Sequence, residues 1–284
     1  MREQPALPEG FVDPKLPTGV LSHSQYALYR KCPSAYERRY LRNQRTPTSP
    51  AMFRGIVVHS AIEKALLHKK ATATAMSLEE AADELAETFG KREKEVEVWD
   101  EGEPSGKVLD AAQRAFAVWH AQAYPKINPV EVESFFARKV GSVPVTGYID
   151  LIDHVRGPDM GGVADPGYYV VADTKTGSAS WSQAEIDADP QFTLYSLVRG
   201  VPHVRVDALA LLKAGPKYDA KTSRRTARDW AILREDYEEV ADLIKRGIFP
   251  KAPIDAWSCN AKWCAHWRAC RGNPHAYGGA GGGQ

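Results

Sequence analysis

Residues 147–175 read GYIDLIDHVRGPDMGGVADPGYYVVADTK, and this stretch decides the fold class. Two runs rich in Val, Ile and Tyr flank 157–167, a segment of Gly, Pro and Asp. Apolar β-branched runs bounded by such residues are the pattern of paired strands joined by a turn. Asp150 ends the alternating part of the first run, and Asp173 and Lys175 end the second. Two residues apart on one strand, Asp173 and Lys175 share a face. A hairpin pairing would let all three side chains converge.

Two carboxylates suit a hard, oxygen-preferring cation such as Mg²⁺ or Mn²⁺. Such an ion lowers the pKa of a bound water and neutralises charge building on a phosphate. Lys175 could orient that water or stabilise the developing anion. An Asp-x-Lys pair is equally the pattern of a surface salt bridge, and such bridges are common on exposed strands. The apolar run just before it argues against an exposed edge. His59 is a candidate metal ligand from a helix, although a lone helix histidine is also an ordinary packing residue. Gln191 and Tyr195 lie one helical turn apart after the lysine strand and could reach the same place. Glu133, on the preceding strand, is a further candidate acid.

Outward from this centre, 130–140, 143–155, 168–173 and 204–213 read as strands, the last of them a central one. A crossover helix is expected over about 187–199, and a last helix over 234–246. The basic stretch 217–230 reads as a loop or hairpin. Upstream, 52–68, 77–94 and 108–124 carry helical periodicity, with Ser77 and Glu80 spaced as a capping box. Gly55 and His59, four apart, lie on one side of their helix. The stretch 21–41 reads as a helix capped by Ser22 or Ser24 and broken at Cys32-Pro33. Its tyrosines and arginines could grip a strand of nucleic acid; the alternative is an amphipathic helix with half-buried tyrosines. An arm over 1–20 and a Gly-rich tail over 272–284 are expected to be disordered.

The chain has 284 residues, 43% hydrophobic, enough for one large domain. Its formal net charge is +1, from 37 Lys and Arg against 36 acids. Any nucleic-acid contact must therefore come from locally clustered charge. No apolar run approaches the roughly 18 residues that span a bilayer, and no signal core opens the chain. A cytoplasmic location is expected. Four cysteines are present: Cys32, then Cys259, Cys264 and Cys270 close together. Cytosolic chains seldom use disulfides, so ligation is the expected role. The wide spacing and one remote thiol suit a cuboidal cluster better than zinc, whose sites favour tighter pairs. His266 or His275 could complete a zinc site instead, and free thiols are the third option.

Taken in order, these elements resemble a known family. Residues 21–33, LSHSQYALYRKCP, are similar to the opening of RecB-like nucleases of the PD-(D/E)XK superfamily. The family's ordered motifs are matched by Gly55-x3-His59, Gly147-x2-Asp150, Asp173-x-Lys175 and Gln191-x3-Tyr195. The terminal cysteines with Cys32 resemble the iron–sulfur branch, which includes CRISPR-associated exonucleases. The resemblance implies an α/β, restriction-endonuclease-like mixed sheet flanked by helices over 21–271. It implies a cluster module joining the chain ends, with a [4Fe-4S] cluster on Cys32, Cys259, Cys264 and Cys270. It implies Mg²⁺ or Mn²⁺ on His59, Asp150 and Asp173, Lys175 as the catalytic lysine, and Gln191 and Tyr195 in support. The implied activity is a DNA exonuclease on single-stranded ends, 5′ to 3′, in recombination, repair or replication. With no helicase region in the sequence, a standalone nuclease or one working with a separate helicase or recombination partner is expected. Alternatives are a non-catalytic DNA-binding or adaptor protein and a flap or structure-specific endonuclease. Two departures stand out: Asp173 where many relatives carry Glu, and a first cysteine spacing wider than usual. A cluster would close a loop of roughly 220 residues and act as a structural clasp.

Overall fold

The computed structural model describes residues 5–96, 99, 103–156 and 166–272. The chain divides into two compact units. One, the sheet unit, comprises Pro47–Phe136 and Tyr148–Leu233; the other, the terminal unit, comprises Met1–Thr46, Ala137–Gly147 and Arg234–Gln284. The expected 157–167 turn falls largely outside the described residues, as does the Gly-rich tail beyond 272.

Five strands form one sheet in the order β1-β2-β3-β4-β5. They are β1 (Pro129–Val140), β2 (Val143–Val155), β3 (Tyr168–Gly177), β4 (His203–Leu212) and β5 (Gly215–Arg224). β2 and β3 pair antiparallel, as a hairpin requires. β3 and β4 pair parallel, which demands a crossover. Helices α6 (Gln183–Ala188) and α7 (Pro190–Arg199) supply it. The single helix expected over 187–199 is thus two. Pro190 disfavours helical geometry at Asp189, and Asp189 instead caps α7 by accepting from the Gln191 and Phe192 amides. The 217–230 stretch takes its hairpin form: β5 pairs antiparallel with β4.

Helices α3 (Pro50–Thr72), α4 (Leu78–Arg92) and α5 (Ser105–Gln122) make the helical layer of the sheet unit. Ser77 and Glu80 close the expected capping box at α4. The apolar stripe of α3 (Phe53, Val57, Ala61, Ala65) is fully buried with Phe116 and Trp119 of α5 and with Leu151, Ala172 and Leu209 of the sheet. Burying each such side chain contributes about 1.5–3 kcal/mol, which is why this periodicity locates the helices well. Gly55 has a separate reason to be small. A Cβ there would stand 2.9 Å from Thr176 Oγ1 on β3, so the glycine lets α3 approach the sheet closely.

In the terminal unit, α1 (His23–Lys31) is capped by Ser22, α2 (Pro33–Tyr36) restarts after Cys32, and a π-helical turn covers Glu37–Leu41. Helix α8 (Ala227–Lys245) begins ahead of the expected 234, where Thr226 and Asp229 cap it reciprocally. Tyr26 stacks on Tyr237 at 4.3 Å, Tyr29 donates to the Ile248 carbonyl at 2.6 Å, and Tyr36 stacks on Phe249. These three tyrosines are core, not a nucleic-acid grip. The N-terminal arm also departs from expectation. Residues 5–20 form turns that bury Phe11, Leu16 and Val20, and Asp13 pairs with Lys245 at 2.7 Å. Apolar residues between turn-forming prolines and glycines gave this segment something to bury.

Candidate active site

The trio meets inside the sheet unit. Asp150 and Asp173 sit inside their strands, not at the ends expected for them. The β2–β3 register runs from Val155 opposite Tyr168 to Leu151 opposite Ala172, and Asp150 and Asp173 are the next step along. The Thr174 amide donates to Asp150 Oδ2 at 3.3 Å. Lys175 follows on the same face of β3 as Asp173, with Nζ 2.6 Å from Asp173 Oδ2. From α3, His59 Nδ1 lies 3.4 Å from Asp150 Oδ2.

Helix α7 closes the group. Gln191 Oε1 accepts from Lys175 Nζ at 2.6 Å, and its Nε2 donates to Asp173 Oδ1 at 3.3 Å and to the Tyr195 hydroxyl at 2.9 Å. The fold thus brings His59, Asp150, Asp173, Lys175, Gln191 and Tyr195 together. Asp189 was missed by sequence reading. Its signal was an Asp-Pro pair at a helix start, an N-cap followed by Pro at the first helical position. By capping α7, Asp189 fixes where Gln191 begins its turn. Glu133 stands in the left-handed region, φ 48°, within a strand, and its charge reaches Tyr195.

The electrostatics show a site short of positive charge. Asp173 is 2% exposed. Burial, then the nearby Asp150 charge, push its carboxyl up to about 7 despite Lys175. Among the described residues, Asp173 Oδ2 meets the Lys175 ammonium at 2.6 Å and no other donor, so this buried oxygen keeps a lone pair to offer. Burial also opposes charge on Asp150, yet the His59 contact outweighs it and holds the carboxyl low. His59 is raised by Asp150 and Asp173 against its own desolvation, and Lys175 by Asp173. Burial and the Asp173 charge push the Tyr195 hydroxyl up, so it stays protonated. Two carboxylates with an open oxygen and a flanking imidazole are a donor set that fits a hard divalent cation. Among the described residues, no three His, Cys, Asp or Glu stand close enough together to hold a metal ion as they are placed.

The cysteines gather in the terminal unit. All four line one cavity of about 170 Å³. None forms a disulfide, and each is half-buried. Burial raises the Cys264 thiol, and Cys32, Cys270 and Cys259 are near enough to add to that. They are not drawn to the distances of a single-ion site. The expected [4Fe-4S] module joining the chain ends is not shown by these positions. His266 lines the same cavity, whereas His275 lies outside the described residues.

Comparison with known proteins agrees with the geometry. A family model described as the PD-(D/E)XK nuclease superfamily matches residues 20–271. A crystal structure from Eubacterium rectale, of a protein described as a candidate exonuclease, superposes with a TM-score of 0.53 at 11% identity, covering 89% of this chain and 88% of that one. At that identity the likeness speaks for the fold. A crystal structure of SSO0001 matches at a TM-score of 0.36 and 13% identity, over 75% of this chain and 84% of that one, too weak to argue from. No curated protein matches the chain. Among the described residues, no helix is long and apolar enough to cross a membrane.

Proposed function

Because the chain belongs to the PD-(D/E)XK nuclease superfamily, a group of metal-dependent nucleases, we propose that it is a DNA exonuclease that degrades single strands from an end, 5′ to 3′, with Mg²⁺ or Mn²⁺. The observation that carries this reading is the meeting of His59, Asp150, Asp173 and Lys175, with the buried Asp173 carboxylate held by a single ammonium and one amide. The description of the Eubacterium rectale protein favours end-directed cleavage over internal cutting.

In this reading His59, Asp150 and Asp173 hold the cation. When bound, the cation neutralises charge on the scissile phosphate and makes a water more acidic. Lys175 places its ammonium where negative charge develops on the phosphate. Gln191 accepts from that ammonium and so fixes its direction, while Tyr195 orients the Gln191 amide. His59 must shed its proton to bind a cation, and the Asp150 contact that raises its pKa makes that step cost more at low pH.

The four-thiol cavity supports a [4Fe-4S] cluster on Cys32, Cys259, Cys264 and Cys270, serving as a structural clasp within the terminal unit. Free thiols without a disulfide suit a cytoplasmic setting. Single-stranded ends of this kind arise in recombination, repair and replication, where a helicase or recombination protein would be the partner.

The test is digestion of end-labelled linear and closed circular single-stranded DNA with Mn²⁺, beside Lys175→Ala. Linear strands should shorten from the labelled end while circles survive. No digestion with any divalent cation would overturn the reading. Cleavage of circles would replace it with an endonuclease. A matched RNA strand checks the sugar preference. Visible absorbance of anaerobically purified protein tests the cluster; a colourless, fully folded protein would remove it.

A further inference from the structure

Two tryptophans beside the cysteine cavity are used by neither the core nor the ligation described above. Trp257 is 71% exposed and Trp263 57% exposed. Large aromatics left in water cost solvation free energy and mark recognition surfaces more often than accidents. Their neighbour Trp267 is 5% exposed and belongs to the interior.

The pair is held in place. Their ring centres lie 6.3 Å apart, with planes at 70°. Asn260 fixes the loop between them: its amide donates to the Trp257 carbonyl at 2.7 Å, and its Oδ1 accepts from the Lys262 and Trp263 amides at 3.0 and 3.1 Å. A lysine covers each ring, Lys31 over Trp257 and Lys262 over Trp263, both at 4.8 Å.

Charge identifies what this surface fits. Segments 28–46 and 251–271 supply the whole lining of the cysteine cavity. They hold ten Lys and Arg against two acids, Glu37 and Asp255, in a chain whose total is only +1. Positive charge is thus concentrated in the terminal unit, beside rings able to take a flat π-face. A protein partner would need a matching acidic, aromatic-accepting surface. A single nucleic-acid strand offers phosphates and unstacked bases together.

We propose that Trp257 and Trp263 are a base-stacking platform for single-stranded nucleic acid, with Lys31 and Lys262 meeting its phosphates. The inference rests on the nuclease reading for its substrate class and extends it to a binding surface in the terminal unit. A duplex buries the base faces and cannot use the platform.

The test uses full-length protein purified anaerobically and carrying Lys175→Ala, so that the probe is not consumed. Fluorescence anisotropy compares labelled oligo(dT) with an abasic strand of equal length, and oligo(rU) separates DNA from RNA. The parent should prefer oligo(dT) to the abasic strand, and oligo(dT) should quench tryptophan emission. Trp257→Ala and Trp263→Ala should each weaken oligo(dT) binding roughly 5- to 150-fold, the range of one lost base stack, while abasic binding stays unchanged. Lys31→Ala should weaken both strands alike and lower the salt dependence. Trp257→Phe and Trp263→Phe should recover part of the preference, which separates stacking from misfolding. Equal binding of oligo(dT) by parent and alanine variants overturns the platform, as does equal affinity for duplex. Wild-type digestion is read separately: digestion indifferent to both tryptophans removes the platform and leaves the nuclease, and base-dependent binding without digestion does the reverse.

Discussion

Asp173 on β3 and Asp207 on β4 are neighbours in one sheet, 2% and 1% exposed, yet they have been treated oppositely by their surroundings. The register pairs Ala172 with Arg205 and Thr174 with Asp207. Asp207 therefore points to one face of the strand pair, and Asp173 and Lys175 to the other. Asp207 receives Arg205 Nε at 3.0 Å, Nη2 at 3.0 Å and the Tyr218 hydroxyl at 2.6 Å. The same guanidinium reaches Asp153 at 2.6 Å, whose other oxygen takes the Asn128 amide at 2.8 Å. A planar fork has filled two carboxylates. Asp173 has a single ammonium on Oδ2 and one amide on Oδ1. A saturated cluster holds strands together; an unsaturated one has capacity for a ligand. The rest of this sheet makes the second affordable, since burial of α3 and α5 carries its stability.

The comparison breaks most sharply at Arg205. Arg205→Met should leave two buried carboxylates uncompensated and cost about 3–5 kcal/mol of stability, seen as a lowered urea midpoint. A variant melting like wild type would show that the two clusters are energetically alike. On the other face Lys175→Ala should keep its fold and lose roughly 10²–10³-fold of digestion rate, measured with excess Mn²⁺.

Protonation sharpens the contrast. The folded Asp173 carboxyl is raised to about 7, above its unfolded value near 3.9. Between those values the folded state binds more protons than the unfolded chain, so stability falls as pH rises through this window. In chelator, Asp173→Asn should therefore melt higher than wild type at pH 8 and match it near pH 4. Added Mn²⁺ should raise the wild-type melting point more at pH 8 than at pH 5. A pH-independent difference between the two proteins would contradict the raised carboxyl. The smallest effect is steric. Gly55→Ala puts a methyl 2.9 Å from Thr176 Oγ1 and should cost about 1 kcal/mol, with some activity lost as His59 shifts. Thr176→Ala in the same chain should restore both, and failure to do so would remove the close approach as the reason for this glycine.

Much of the molecule was legible in the chain. Strand runs, helical stripes and the Ser77–Glu80 capping box are local patterns, and they appear where expected. The order of Gly55, His59, Asp150, Asp173, Lys175, Gln191 and Tyr195 pointed to the family and to side chains that the fold then brings together. Misreadings came where partners are distant. Tyr26, Tyr29 and Tyr36 could be read either as a basic-aromatic grip or as a half-buried helix face, because Tyr237, Ile248 and Phe249, which bury them, lie some two hundred residues on. The arm at 5–20 looked loose because its apolar residues are few and widely spaced. The helix expected at 187–199 was divided by a single proline whose effect on the preceding residue is local but easily outvoted by periodicity.

By itself, then, the sequence determined the elements and which side chains could do chemistry, since period, caps and motif order are properties of neighbouring residues. It could not say which buried acids were to be filled. Asp150 and Asp153 stand three apart on β2, and Asp173-x-Lys175 and Arg205-x-Asp207 are near mirror images in the chain. Only the tertiary structure assigned the guanidinium to Asp153 and Asp207 and left Asp173 with one ammonium and one amide. Charge satisfaction is a sum over everything that packs around a group, and that sum exists only once the strands have paired and the helices have closed over them.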